Sequence, residues 1–226
     1  MTNQNGLTPQ TFEFLADLAR SNDRSWFEAN RDRYEQDVMA PAIAFVQSAA
    51  PIMEALTPPH AAVPKMNGTI RRLHRDTRFG ADKTPFKSHL HFIFWTGAKP
   101  GTSPAIHLVA HADSVGFGAG MWAMQPAQLA AFRAALADGA KRQQFDGAVQ
   151  ACHAIGCQFA EPELKRLPRG LEIIPSHEPH QRRKAVVMRT IEERDPIDNF
   201  LGSRGIDRLA ELAPSLALLN GFLHDL

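Results

Sequence analysis

Residues 71–87, RRLHRDTRFGADKTPFK, carry six basic side chains, Arg71, Arg72, Arg75, Arg78, Lys83 and Lys87, against two carboxylates, Asp76 and Asp82. The local charge is +4 in a chain whose formal charge is +1. A guanidinium presents a planar fork of donors that matches a carboxylate or a phosphate in two parallel hydrogen bonds. The interleaved Leu73, Phe79, Pro85 and Phe86 set these cations partly into apolar surroundings, where each donor needs a partner. Two carboxylates do not serve six cations. We therefore expect Arg72, Arg75, Arg78, Lys83 and Lys87 to contact a phosphate-bearing or other anionic ligand, with Asp76 and Asp82 orienting them. A rival reading makes the same residues a closed salt-bridge network in a non-catalytic interaction or structural protein. A third, nucleic-acid binding or processing, requires Arg31, Arg33, Lys165, Arg166, Arg169, Arg182, Arg183 and Lys184 to converge on the segment.

Histidines follow immediately. His89 and His91 alternate along one strand-like run, His107 and His111 along another, and antiparallel pairing of the two would gather four imidazoles on one surface. In an enzymatic version, Asp76 or Asp82 acts as general base or metal ligand and His89 or His107 carries the proton. No carboxylate or thiol stands at a recognised metal-ligand spacing from these histidines, so no metal is assigned. Neither a catalytic residue nor a cofactor is assigned either. The alternating Gly116, Gly118 and Gly120 lack the strand-loop-helix context of a dinucleotide fingerprint, and their use is close approach by a ligand or a neighbouring backbone. His177 and His180 fall in a Pro-flanked passage and read as solvated, and Cys152 and Cys157 read as reduced structural thiols.

The elements that hold these residues follow from periodicity. Phe12, Leu15 and Leu18 recur at helical spacing from Thr8 to Leu18, and a second helical tract opens near Ser25 and runs to Pro58-Pro59, with a kink or break expected at Pro41. Alternation then takes over. Lys87–Trp95 puts Leu90, Phe92 and Phe94 on one face, and Ala105–Ala112 and Val115–Trp122 read as the next strands of an antiparallel meander. Helices are expected over Gln125–Ala137 and Arg142–Ile155, mostly loop over Glu161–Lys184, a strand over Ala185–Ile191, and one or two helices over Ile197–Leu226. The result is α+β: an antiparallel sheet of about four to six strands packed by N-terminal, middle and C-terminal helices.

The charged segment resembles the signature of an uncharacterised bacterial and fungal family, domain of unknown function 2461, whose pattern is Arg-x-x-Arg-Asp-x-Arg-Phe followed by Asp-Lys-x-Pro-Tyr-Lys. Arg72, Arg75, Asp76, Arg78, Phe79, Asp82, Lys83, Pro85 and Lys87 match it. Phe86 replaces the family's usual Tyr, so any role for that hydroxyl is absent or dispensable. The likeness extends over nearly the whole chain, through Phe12, Phe14 and Leu15, Asn22, Arg24, Trp26 and Phe27, Asn30 and Arg31, Tyr34 and Glu35, Leu167–Gly170, and Arg183 and Lys184. Polar His180 and Gln181 stand where the family has an apolar pair. The resemblance implies no particular activity.

Composition bounds the rest. With 226 residues, 44% of them hydrophobic and 22% charged, the chain buries a core of its own and reads as one domain, 1–226. Near-neutral charge excludes a global attraction for polyanions and confines any anion site to a local patch. Partners are then an anionic small molecule or nucleic acid and not a membrane. The polar start lacks the pattern of a secretory signal, no stretch has the length of a membrane span, and the cytoplasm is expected. The oligomeric state stays open.

Overall fold

A computed structural model describes residues 6–78, 82–191 and 194–226. Phe79 of the signature lies outside the described residues. Thr8 caps the first helix, α1 (Pro9–Arg20), in a reciprocal box with Thr11. Asp23 caps α2 (Arg24–Ala29), and α3 (Arg31–Arg33) then runs through a π-helical stretch, Tyr34–Met39, into α4 (Ala40–Glu54). The expected interruption at Pro41 takes this form. Proline has no N–H to offer the carbonyl four residues back, Asp37, and the hydroxyl of Thr11 donates to that oxygen instead at 2.6 Å. The lost helical bond is thereby replaced by a tertiary one that ties α1 to the π stretch.

Alternation becomes a sheet. The long central strands are β2 (Leu90–Trp95), β3 (Ala105–Ala110) and β4 (Ser114–Met121), paired antiparallel with β1 (Ile70–Arg71) outside β2. After α5 (Pro126–Ala137) and α6 (Gly139–Ala154) come β5 (Gln158–Phe159), the short α7 (Glu178–Gln181), β6 (Val186–Arg189) and β7 (Asp195–Pro196). The order is β1-β2-β3-β4-β6-β5, with β7 on the first residues of β4. Seven strands among the described residues exceed the four to six expected. The surplus lies in β1, β5 and β7, two-residue strands too short for alternation to register.

One sheet face is apolar. Ile70, Leu90, Phe92, Phe94, Ile106, Leu108, Val115, Phe117, Ala119, Val186 and Met188 are all buried in a core that includes residues of α1, α4, α5, α6 and α8 (Ser203–His224), and α8 packs on β3 and β4. The pleat sends the intervening residues the other way, and His91, Ile93, His107 and Val109 remain half-buried on the opposite face.

The signature folds as an irregular antiparallel pair. Arg75 N–H donates to the Pro85 carbonyl at 2.9 Å and Lys87 N–H to the Leu73 carbonyl at 2.8 Å. Phe86 is buried between the ring of Phe27, stacked at 4.2 Å, and that of His74 at 4.6 Å. The Asn22 side-chain amide bonds both backbone groups of Phe86, as a neighbouring strand would. Position 86 is thus a packing position, which accounts for its tolerance of a ring without a hydroxyl.

Candidate functional site

Register decides where the imidazoles fall. Pairing of Leu90 with Ala110 and of Ile93 with His107 places His89 beside His111 and His91 beside His107. The ring centroids are 5.3 Å and 5.2 Å apart, and His91 Nε2 lies 3.0 Å from His107 Nδ1. These four rings floor a cavity of about 270 Å³. Its walls come from the neighbouring strands: Gly116 and Gly118 on β4, Val187 and Arg189 on β6, then Thr190, Arg194 and, just past β4, Trp122.

Glycine shapes this surface for two reasons. A Cβ on Gly118 would sit 2.3 Å from the Met188 carbonyl oxygen and 2.7 Å from Arg189 Cβ, so β6 reaches its place only over a bare backbone. A Cβ on Gly116 would press on Thr190 Oγ1 at 3.1 Å, beside the Arg194 side chain. The close approach expected of these glycines is made by β6.

Positive charge surrounds the floor. Burial pushes His89 down to about 4, aided by His111, Lys87, Arg75 and Arg194. Burial pushes His91 to about 3, with His107, His89, Lys87 and Arg71 adding to the effect, and His107 to about 4, with Arg71 contributing. His111 is lowered by burial and Arg194, with Asp113 opposing. The rings are therefore neutral near pH 7 and offer hydrogen-bond donors and acceptors. Lys87 is itself lowered by burial and by Arg71, Arg75 and Arg72. The described lining residues include two arginines and no carboxylate. Such a surface suits an anion and opposes a cation. Among the described residues no group of three or more His, Cys, Asp or Glu side chains is placed to hold a metal ion.

The signature divides around this cavity. The charges of Arg75 and Lys87 act on His89 without lining its cavity; Arg75 lines a separate one with Arg72, His74 and Arg78, its Nε buried with no hydrogen-bond partner while Nη1 pairs with Asp82 at 2.7 Å. Arg72 is exposed and lines a separate cavity with Phe27, Glu28 and Arg31. Arg78 chelates Asp76 through Nε at 3.0 Å and Nη2 at 2.7 Å, and Lys83 Nζ donates to the Thr77 carbonyl. Hydrogen bonds from Arg78 hold Asp76 below the usual carboxylate range, and those from Thr84, with Arg75, do the same for Asp82. Carboxylates so stabilised are weak bases, so neither is suited to accept a proton near neutral pH. Of Arg72, Arg75, Arg78, Lys83 and Lys87, none lines the histidine cavity: Arg75 and Lys87 act on His89 through their charge, Arg72, Arg75 and Arg78 line a neighbouring cavity, and Arg78 and Lys83 bond within their own loop.

Of the other basic residues, Arg31 shares a cavity with Arg72, whereas Arg33, Arg169 and Arg183 are engaged elsewhere. Arg33 pairs with Asp17, Arg169 lines a different cavity with Arg133 and Arg142, and Arg183 is buried, donating to the Ala160 carbonyl and stacked over Phe159 at 4.1 Å. The loop histidines are a correction. His177 is buried, 2.7 Å from Asp146 and 2.8 Å from the Ser176 hydroxyl, and His180 packs on Phe145 and Phe159. The apolar partners come from α6 and β5, which local sequence does not reveal. Although Ser176, His177 and Asp146 form a hydrogen-bonded chain, the adjoining cavity is lined by Pro175 and Gln181 and not by Ser176. Cys152 and Cys157 are free, buried thiols.

Sequence reasoning overlooked Trp122, Arg189, Thr190 and Arg194. Their signal was the glycine alternation on β4, which marks a strand another backbone must approach, and the strand then read over Ala185–Ile191 carries Arg189 and Thr190.

Fold and site together define an antiparallel α+β protein with a basic, histidine-floored cavity on the sheet face turned away from the core. The chain belongs to the family described as "Conserved hypothetical protein (DUF2461)", whose model matches residues 10–222. None of the curated proteins compared with it matches. No helix among the described residues is long and apolar enough to cross a membrane.

Proposed function

We propose that this cavity binds a phosphate-bearing small molecule, with Arg189 and Arg194 on its wall supplying the positive charge, Arg75 and Lys87 adding to the field at His89, and the four imidazoles supplying neutral hydrogen bonds. The observation that carries the reading is the concentration of cations around a floor of uncharged histidines with no carboxylate among the described lining residues. The cavity is concave and of the size of one small ligand.

The closed-network reading draws less support. The Arg78–Asp76 pair is 75% and 45% exposed and the Arg75–Asp82 pair 33% and 53% exposed. Exposed pairs of this kind contribute about 0 to 1 kcal/mol each. Thermal denaturation with inorganic phosphate and sugar phosphates tests both. A phosphate compound at a hundredfold excess over its Kd stabilises by about 2.7 kcal/mol, or roughly 5 to 10 °C for a chain of this length. The Arg75→Ala/Arg194→Ala double variant should melt close to the wild type without ligand and show no shift with it. A wild type indifferent to every phosphate compound overturns the binding reading. A loss of about 3 to 5 kcal/mol in Arg75→Ala alone would instead establish the network.

A further inference from the structure

We infer that the ligand of this cavity carries a planar aromatic ring, and that the site takes a nucleoside phosphate unit with its base on Trp122 and its phosphate toward Arg194. The inference rests on the anion-site reading above and adds the chemistry of the ligand's other end. Trp122 is 55% exposed, whereas the aromatic rings of the core are buried. An indole left in water is an unmet apolar surface, and this one lines the cavity beside Val187. The Arg189 guanidinium stands 5.6 Å from its ring centroid and holds the indole at the level of the β4–β6 pairing.

The cavity therefore offers an aromatic surface as well as a cationic one. Arg189 pairs with Gly118, and Gly116, two residues earlier on β4, lies against Thr190 and Arg194. Beside them on the sheet, His107 is level with Gly118 and His91, across Val109, with Gly116; the two rings are neutral and already exchange one hydrogen bond, so their remaining nitrogens suit hydroxyl groups better than a second charge. An aromatic surface, a neutral polar floor and cationic walls meet the demands of a nucleotide. A volume of about 270 Å³ accommodates one such unit and not a duplex.

The shared chemistry has two sources, a free nucleotide or the phosphorylated end of a single strand, and the test separates them. Calorimetric and tryptophan-fluorescence titrations would compare adenosine monophosphate, ribose phosphate, inorganic phosphate and a terminally phosphorylated oligodeoxyadenylate on the wild type and on Trp122→Ala. Stacking of a base on an aromatic side chain is worth roughly 5- to 150-fold in affinity. The wild type should bind adenosine monophosphate at least about fivefold tighter than ribose phosphate, and Trp122→Ala should erase that difference, read as the ratio of the two affinities on the same protein. An oligonucleotide that outbinds the mononucleotide, with the same dependence on Trp122, would name the strand end as source. Equal binding of adenosine monophosphate and ribose phosphate by the wild type overturns the inference and leaves the anion site standing. Absence of binding by every phosphate compound removes both.

Discussion

The chemistry of the site is set by four imidazoles that stay uncharged. Burial and the charges of Lys87, Arg71, Arg75 and Arg194 keep His89 and His107 near 4 and His91 near 3 in the folded protein, against 6.5 for the free side chain. His60, bonded to Asn220 and the Pro58 carbonyl, and His180 are likewise lowered to about 4, chiefly by burial. The unfolded chain therefore binds more protons than the folded one between about pH 6.5 and pH 4, and stability rises with pH across that window. The expected outcome is a melting temperature nearly flat above pH 7 that falls progressively from about pH 6.5 to pH 4. Replacing His91 and His107 by Gln should shallow that fall, and an unchanged slope would show that these rings do not carry it. Their types and alternation were legible in the sequence. Their distances were not, because a one-residue slip between β2 and β3 would send one pair to the core face.

Among the elements, β4 decides the shape of the site. Its glycines let β6 approach until the space above Gly118 is occupied by the Met188 carbonyl and the Arg189 side chain, and this brings Arg189 and Arg194 to the histidines. Gly118→Ala must push β6 away, which by analogy with overpacked cores costs about 1 to 3 kcal/mol. Chemical denaturation should report that loss, and the variant should also lose any phosphate response even where it remains folded. A Gly118→Ala protein of wild-type stability would show that the strands yield without strain. The long periodic elements, α1, β2 to β4, α5, α6 and α8, were readable because burial on one face imposes a period. The π-helical passage was only half readable: Pro41 announces a missing donor, but the Thr11 hydroxyl that answers the Asp37 carbonyl lies 26 residues away.

For the whole molecule, near-neutral net charge conceals a polarised distribution, with Arg189 and Arg194 lining the cavity on one sheet face and the charges of Arg71, Arg75 and Lys87 felt by its histidines. The opposite side is a continuous core that encloses both thiols. Burial pushes Cys152 and Cys157 up to about 12, so neither supplies a thiolate at neutral pH. A disulfide reagent should find no reactive thiol in the native protein and two in denaturant; ready modification of the native chain would mean that this core opens locally. The sequence by itself determined the α+β class, the apolar face of each long element, and the residue types able to meet an anion, since these depend on period and on side-chain chemistry. Tertiary structure alone decided which cations share a surface. Arg78 and Lys83 turn to their own loop, while Trp122, Arg189 and Arg194 join the histidines from segments far along the chain. Local patterns record what each residue prefers to face, whereas strand register and the close approach of β6 to β4 settle which residues face one another.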